Sequence, residues 1–237
     1  LEEVCHFYFP FYYFLLNIFN GDYDMEKKKI LFIYNPKAGK AKIKSNLLDI
    51  IDIFTKAGYE VTAYPTQAKG DGILAVKGRR LGYYDMIVCS GGDGTIDEVV
   101  TGMMQRSDRI PIGYVPAGTT NDFARSLKIP RTMIKAAQAI VDGKPFGCDI
   151  GTFNGDAFVY IAAFGLFTDV SYLTDQNLKN VLGHMAYLLE GAKRLNSYPS
   201  YHMKFEANGT VIEDDFMYGM ITNSVSVGGF KNITGRN

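Results

Sequence analysis

Cysteine is scarce in this 237-residue chain, with three residues at positions 5, 89 and 148. They lack pairing-type spacing, which excludes a disulfide scaffold and points to a reducing compartment. The three histidines, His6, His184 and His202, are scattered and lack metal-ligand spacing. Neither sign of charge dominates, since 25 Lys and Arg balance 25 Asp and Glu, so no nucleic-acid partner is expected. The apolar stretch 4–19 falls short of the roughly 20 residues that a spanning helix needs, and Pro10 and Asn17 interrupt it. No G-x-S-x-G elbow and no G-x-G-x-x-G fingerprint occurs. The pairs Gly39-Lys40 and Gly143-Lys144 run on into Ala41 and Pro145, so neither makes a P-loop.

What the chain does have is length for a real core, 47% hydrophobic residues and 25 glycines. Its zero net charge is a sum of unequal parts. Residues 1–24 carry Glu2, Glu3, Asp22 and Asp24 with no basic residue, a charge of −4, so residues 25–237 carry +4. Residues 1–24 show neither the basic start nor the small-residue cleavage site of a signal peptide. They are expected to be a non-native leader ahead of a natural start at Met25; the rival reading is a membrane or partner anchor.

Periodicity then alternates. Apolar runs at 30–35, 59–64, 86–89 and 110–115 predict strands. Helical spacing is found over 43–57, 71–81, 95–105, 120–127 and 132–142. Alternation at this spacing predicts parallel βαβ units in an open α/β sheet with helices on both faces. Beyond about 145 the pattern turns antiparallel. Runs at 147–153 and 157–164 flank Asn154-Gly155-Asp156, and runs at 201–207 and 210–213 flank Asn208-Gly209, both hairpin signals. A strand at 216–222 and an amphipathic helix at 178–195 complete the reading. The expected division is 1–24 leader, 25–145 α/β nucleotide-binding domain and 146–237 partial antiparallel β domain.

The glycines cluster where strands end, which is where ligands bind in open parallel sheets. Three loops have ligand-like chemistry: Asn35-Pro36-Lys37-Ala38-Gly39-Lys40, Ser90-Gly91-Gly92-Asp93-Gly94-Thr95 and Pro116-Ala117-Gly118-Thr119-Thr120-Asn121-Asp122. In the second, residues without Cβ let backbone approach an anion, and the helix that follows offers free N–H groups and a positive dipole end. Asp93 would repel phosphate directly, so it suggests a Mg²⁺-water network, a hydrogen-bonded sugar, or a helix cap.

The combination resembles the diacylglycerol kinase catalytic-domain family, in its bacterial soluble lipid-kinase branch. The residues that carry it are I-Y-N-P-K-A-G-K at 33–40, G-G-D-G-T-I-D-E-V at 91–99, V-P-A-G-T-T-N-D-F-A-R at 115–125, D-I-G at 149–151 and N-x-x-x-x-G-G at 223–229. The glycine-aspartate motif is shared with NAD kinases, whereas P-A-G-T-T-N-D-F-A-R points to lipid kinases.

The resemblance implies a Rossmann-like domain followed by a β-sandwich-like one, with ATP and Mg²⁺ as cofactors and a lipid hydroxyl at the membrane surface as phosphoryl acceptor. It implies a cytoplasmic protein peripheral to the inner membrane face, with a role in phospholipid biosynthesis, and is compatible with a homodimer. By motif position, ATP contacts fall on Asn35, Pro36, Lys37, Ala38, Gly39, Thr66, Gly92, Asp93, Gly94, Thr95, Ile96, Asp97, Glu98 and Thr119. Asp93 is expected to reach the metal through water. Asp97 stands where relatives often have Asn. The family's direct metal ligands and its general base are expected beyond Asn237, so the chain reads as C-terminally truncated and inactive alone. The alternatives are an NAD kinase-like enzyme and a nucleotide-binding fragment without catalysis.

Overall fold

The computed structural model describes residues 27–153, 155–165, 200–207, 209–223, 226–227 and 230–231. The expected leader, the helix at 178–195 and the Gly228-Gly229 pair lie outside them.

Four parallel strands form the central sheet: β1 (Lys29–Tyr34), β2 (Glu60–Pro65), β3 (Met86–Gly91) and β4 (Ile112–Pro116). Their spatial order is β2-β1-β3-β4. The helices between them are α1 (Ile43–Lys56), α2 (Asp71–Lys77), α3 (Asp93–Met104), α4 (Asp122–Ser126) and α5 (Met133–Asp142).

β1 shows why the sheet is buried on both sides. Ile30 and Phe32 enter one core layer with Ile43, Ile50 and Phe54 of α1 and Ala136 and Ala137 of α5. Leu31 and Ile33 enter the opposite layer with Val76 of α2, Ile96, Val99 and Met103 of α3 and Phe123 of α4. All four strand residues have no exposed surface. A run without polar alternation is what a doubly covered parallel strand requires, and each such side chain contributes roughly 1.5–3 kcal/mol by burial.

Boundaries shift where local chemistry acts. The helix expected over 71–81 stops at Lys77 ahead of Gly78. The helix expected from 95 begins at Asp93, with Gly92 as its N-cap.

The second region consists, among the described residues, of two-stranded antiparallel sheets. These pair β5 (Gly151–Phe153) with β6 (Asp156–Phe158), β7 (Ile161–Gly165) with β10 (Tyr218–Thr222), β8 (Tyr201–Ala207) with β9 (Thr210–Phe216), and β11 (Ser226–Val227) with β12 (Phe230–Lys231). The run expected as one strand over 157–164 is broken at Val159-Tyr160. β9 runs on through Asp214 and Asp215, which therefore lie within a strand. No helix among the described residues is long and apolar enough to cross a membrane.

Candidate functional site

The strand order reverses direction beside β1: the chain passes from β1 outward to β2, then returns to β3 on the other side. In open parallel sheets the crevice beyond such a switch point is the usual ligand site. The loops after β1 and β3 meet there, and the loop after β4 is the next along the same edge.

Glycine makes their contact possible. A Cβ on Gly39 would sit 2.5 Å from the Ala117 carbonyl oxygen, and its φ of +54° is itself glycine territory. A Cβ on Gly118 would sit 2.6 Å from the Cα of Gly92. The first and second loops thus both pack backbone-to-backbone on the third. Hydrogen bonds fix the junction. The Ala117 and Gly118 N–H groups donate to the Gly91 carbonyl at 2.8 and 3.2 Å, and the Tyr114 hydroxyl donates to the same oxygen at 3.1 Å.

Each loop is also braced internally. Asn35 accepts from the Lys37 N–H at 2.9 Å. Asn121, in the left-handed region at φ 52°, both accepts from the Gly118 N–H and donates to the Gly118 carbonyl, each at 2.8 Å. Thr66 is buried at the end of β2, where its N–H donates to the Tyr34 carbonyl at 2.9 Å. A cavity of about 140 Å³ opens against the third loop, lined in part by Thr119, Thr120, Arg125 and Arg131.

The model of the diacylglycerol kinase catalytic domain matches residues 29–153. Over 207 residues the chain is 39% identical to a diacylglycerol kinase of Bacillus subtilis (strain 168), covering 87% of this chain and 68% of that one. It is 35% identical over the same length to a diacylglycerol kinase of Staphylococcus carnosus (strain TM300), with the same shares covered. The chain belongs to the diacylglycerol kinase catalytic-domain family. A crystal structure of a diacylglycerol kinase from Bacillus anthracis str. Sterne superposes with a TM-score of 0.69 at 28% identity, covering 87% of this chain and 68% of that one. These likenesses support a lipid kinase function.

In this member of the kinase family the acidic residues of the first two turns of α3, Asp93, Asp97 and Glu98, are all engaged. The Asp93 carboxylate accepts from the N–H groups of Asp122 and Phe123, at 3.2 Å each, and so holds the start of α4. Burial pushes its pKa up, while those two amides pull the other way. Glu98 accepts from the Gly70 N–H at 2.8 Å and the Gly72 N–H at 3.0 Å, which satisfies the start of α2. Asp97 accepts from the Val159 N–H at 2.9 Å. Burial pushes Asp97 up to about 6, the Val159 amide opposes this, and the nearby Asp93 charge adds to it. Thr101, which belongs to none of the sequence motifs, exchanges two hydrogen bonds with the backbone of Ala157.

The residues fit a polyphosphate. Gly94 has open space where a Cβ would stand, and Gly92 leaves the start of α3 without a side-chain cap. Ser90, just behind them, has a buried hydroxyl without a hydrogen-bond partner. Lys37 and Lys40 are exposed beside the first loop. A metal suits Asp93 only at one remove, because its oxygens already serve two amides. Of the other sequence-predicted residues, Pro36, Ala38, Thr95 and Ile96 lie on the first two loops or the first turn of α3, and Ala38, Thr95 and Ile96 are buried there.

Proposed function

We propose that the chain is the nucleotide half of an ATP-dependent lipid kinase, which transfers the γ-phosphoryl group of ATP to the hydroxyl of diacylglycerol or a related lipid. The observation that carries this reading is the contact of Gly118 with Gly92, which joins two glycine loops at the start of α3. Phosphoryl transfer depends chiefly on positioning and charge neutralisation, and this arrangement serves both.

In this reading the N–H groups of Gly92 and Gly94 and the helix dipole receive the phosphates. Lys37 and Lys40 offset their charge, while Asn35, Thr66 and Thr119 frame the rest of the nucleotide. Mg²⁺, when bound, would neutralise charge on the phosphates, with Asp93 orienting its water shell. The lipid hydroxyl oxygen attacks the γ-phosphorus, the bond to the bridging oxygen breaks, and ADP leaves. The hydroxyl proton needs a base. Asp93, Asp97 and Asp122 are all committed to hydrogen bonds, so the base is assigned to none of them, and these residues alone are proposed to be inactive. We also take 25–145 as the nucleotide-binding unit and 146–237 as part of the second, in a protein that works at the cytoplasmic face of the membrane on phospholipid precursors.

The test is incubation with Mg²⁺, ATP labelled at the γ-phosphate, diacylglycerol vesicles and NAD. ATP binding by this chain, with transfer to lipid only in a longer version, is the expected result. Label appearing on NAD alone would overturn the reading in favour of an NAD kinase-like enzyme. Label reaching lipid with the present chain would overturn the proposed inactivity.

A further inference from the structure

We infer that Asp97, Thr101 and Tyr160 form a three-point clamp that fixes residues 157–160 of the second region against the nucleotide loops, and so act as positioning residues for the cleft. Asp97 and Thr101 stand four residues apart on α3 and so share a face. Thr101 donates its hydroxyl to the Ala157 carbonyl at 3.2 Å and accepts from the Ala157 N–H at 2.9 Å. Asp97 takes the Val159 N–H at 2.9 Å. The spacing is matched: four helical residues rise about 6 Å and two extended residues about 6.6 Å. Alternate amides of the second region thus meet successive turns of α3.

The third point lies on the other loop. The Tyr160 hydroxyl donates to Asp122 Oδ2 at 2.8 Å. Asp122 is buried, and its own N–H is held by Asp93. The clamp therefore joins α3 and the start of α4, the helices that follow the loops after β3 and β4, to a single short segment. That segment is not loosely attached, because Ala157 and Val159 are buried in the same layer as Ile96, Val99 and Met103 of α3. Asn223, just after β10, adds its N–H to the Tyr160 carbonyl at 2.9 Å.

The functional consequence rests on the nucleotide reading above. Gly92 and Gly94 sit at the start of the helix whose second and third turns carry the clamp. A ligand that orders this end of α3 and the start of α4 is felt at 157–160 through three fixed points.

Amide hydrogen exchange tests the clamp without any ligand. In Asp97→Ala, which loses one hydrogen bond, and Thr101→Val, which loses two, exchange across 155–161 is expected to rise at least about five- to tenfold, while β1 and β3 stay protected. Thr101→Ser keeps the hydroxyl and is expected to remain near wild type, and Asp97→Asn, which keeps an acceptor, is expected to exchange no faster than wild type. Tyr160→Phe should loosen 155–161 and the start of α4 together. Unchanged exchange in Thr101→Val and Asp97→Ala overturns the clamp, as does a rise shared equally by β1 and β3. In a second arm, ADP with Mg²⁺ should protect both 91–98 and 155–161 in wild type but only 91–98 in the two disrupted variants. Failure of ADP to protect 91–98 in wild type counts against the nucleotide reading, while the ligand-free arm still decides the clamp.

Discussion

Asp93, in the loop after β3, holds the backbone N–H of Phe123, 30 residues further on, at 3.2 Å. The same carboxylate holds the Asp122 N–H, so the second loop caps the helix that follows the third. Asp93→Ala removes both acceptors at once. Stability should fall by about 1–3 kcal/mol, the cost of unsatisfied amides, and phosphoryl transfer by a longer chain should be lost. Urea unfolding with a parallel kinase assay checks both. Wild-type activity in that variant would remove Asp93 from the site.

Asp97→Asn keeps an acceptor for the Val159 N–H and removes a buried charge. The folded pKa stands near 6, above the ordinary 3.8, so ionisation costs the folded state stability as pH rises through that interval. Asp93 is the charge that faces it, and burial holds the Cys89 thiol and Tyr114 phenol neutral across the same range. The variant should therefore be more stable than wild type near pH 7, by about 1–3 kcal/mol. The gain should shrink as pH falls through that interval and vanish below 3.8, where the carboxyl is protonated in both states. Thermal unfolding of both proteins across that range reads the effect directly.

Gly118→Ala places a Cβ 2.6 Å from the backbone Cα of Gly92 and 2.7 Å from Asn121 Oδ1, whose hydrogen bonds to Gly118 hold it in place. A cost of about 1–3 kcal/mol follows from the overpacking. The loops must separate to admit the methyl group, so nucleotide affinity should fall as well. Gly94→Ala meets open space and should unfold at nearly the wild-type temperature. Calorimetric unfolding of the pair distinguishes the two positions.

Ser90→Ala removes a buried hydroxyl without a partner. In the absence of ligand the variant should be as stable as wild type or more so. A fall in ATP affinity without a fall in stability would show that the hydroxyl serves the ligand.

Much of this was legible beforehand because its signals are local. The β1 run Ile30-Leu31-Phe32-Ile33 announces a doubly covered strand, and the glycine loops announce themselves by sequence. The strand order is set by pairings such as Ile30 with Met86 and Lys29 with Glu60, which no local pattern encodes. Hence the meeting of the loops at one edge could be expected, but not the reversal of order at β1. The clamp was hidden for the same reason. Thr101 looks like any helical threonine until its partner Ala157, 56 residues away, is placed beside it. The motif that marks Asp97 and Glu98 does not encode the partners of their side chains, Val159 for the first and Gly70 and Gly72 for the second. The break at Val159-Tyr160 escaped an apolar run because it follows from anchoring to Asp97 and Asp122.

The central claim is that the glycine loops beyond β1, β3 and β4 bind the phosphates of ATP. Isothermal titration of Mg²⁺-ATP into the wild-type chain and into Gly118→Ala tests it most directly, with NAD as the competing ligand. The account predicts saturable binding at one site per chain, weakened in Gly118→Ala and undisturbed by NAD. Absence of ATP binding to a folded wild-type chain, or displacement of ATP by NAD, would contradict it.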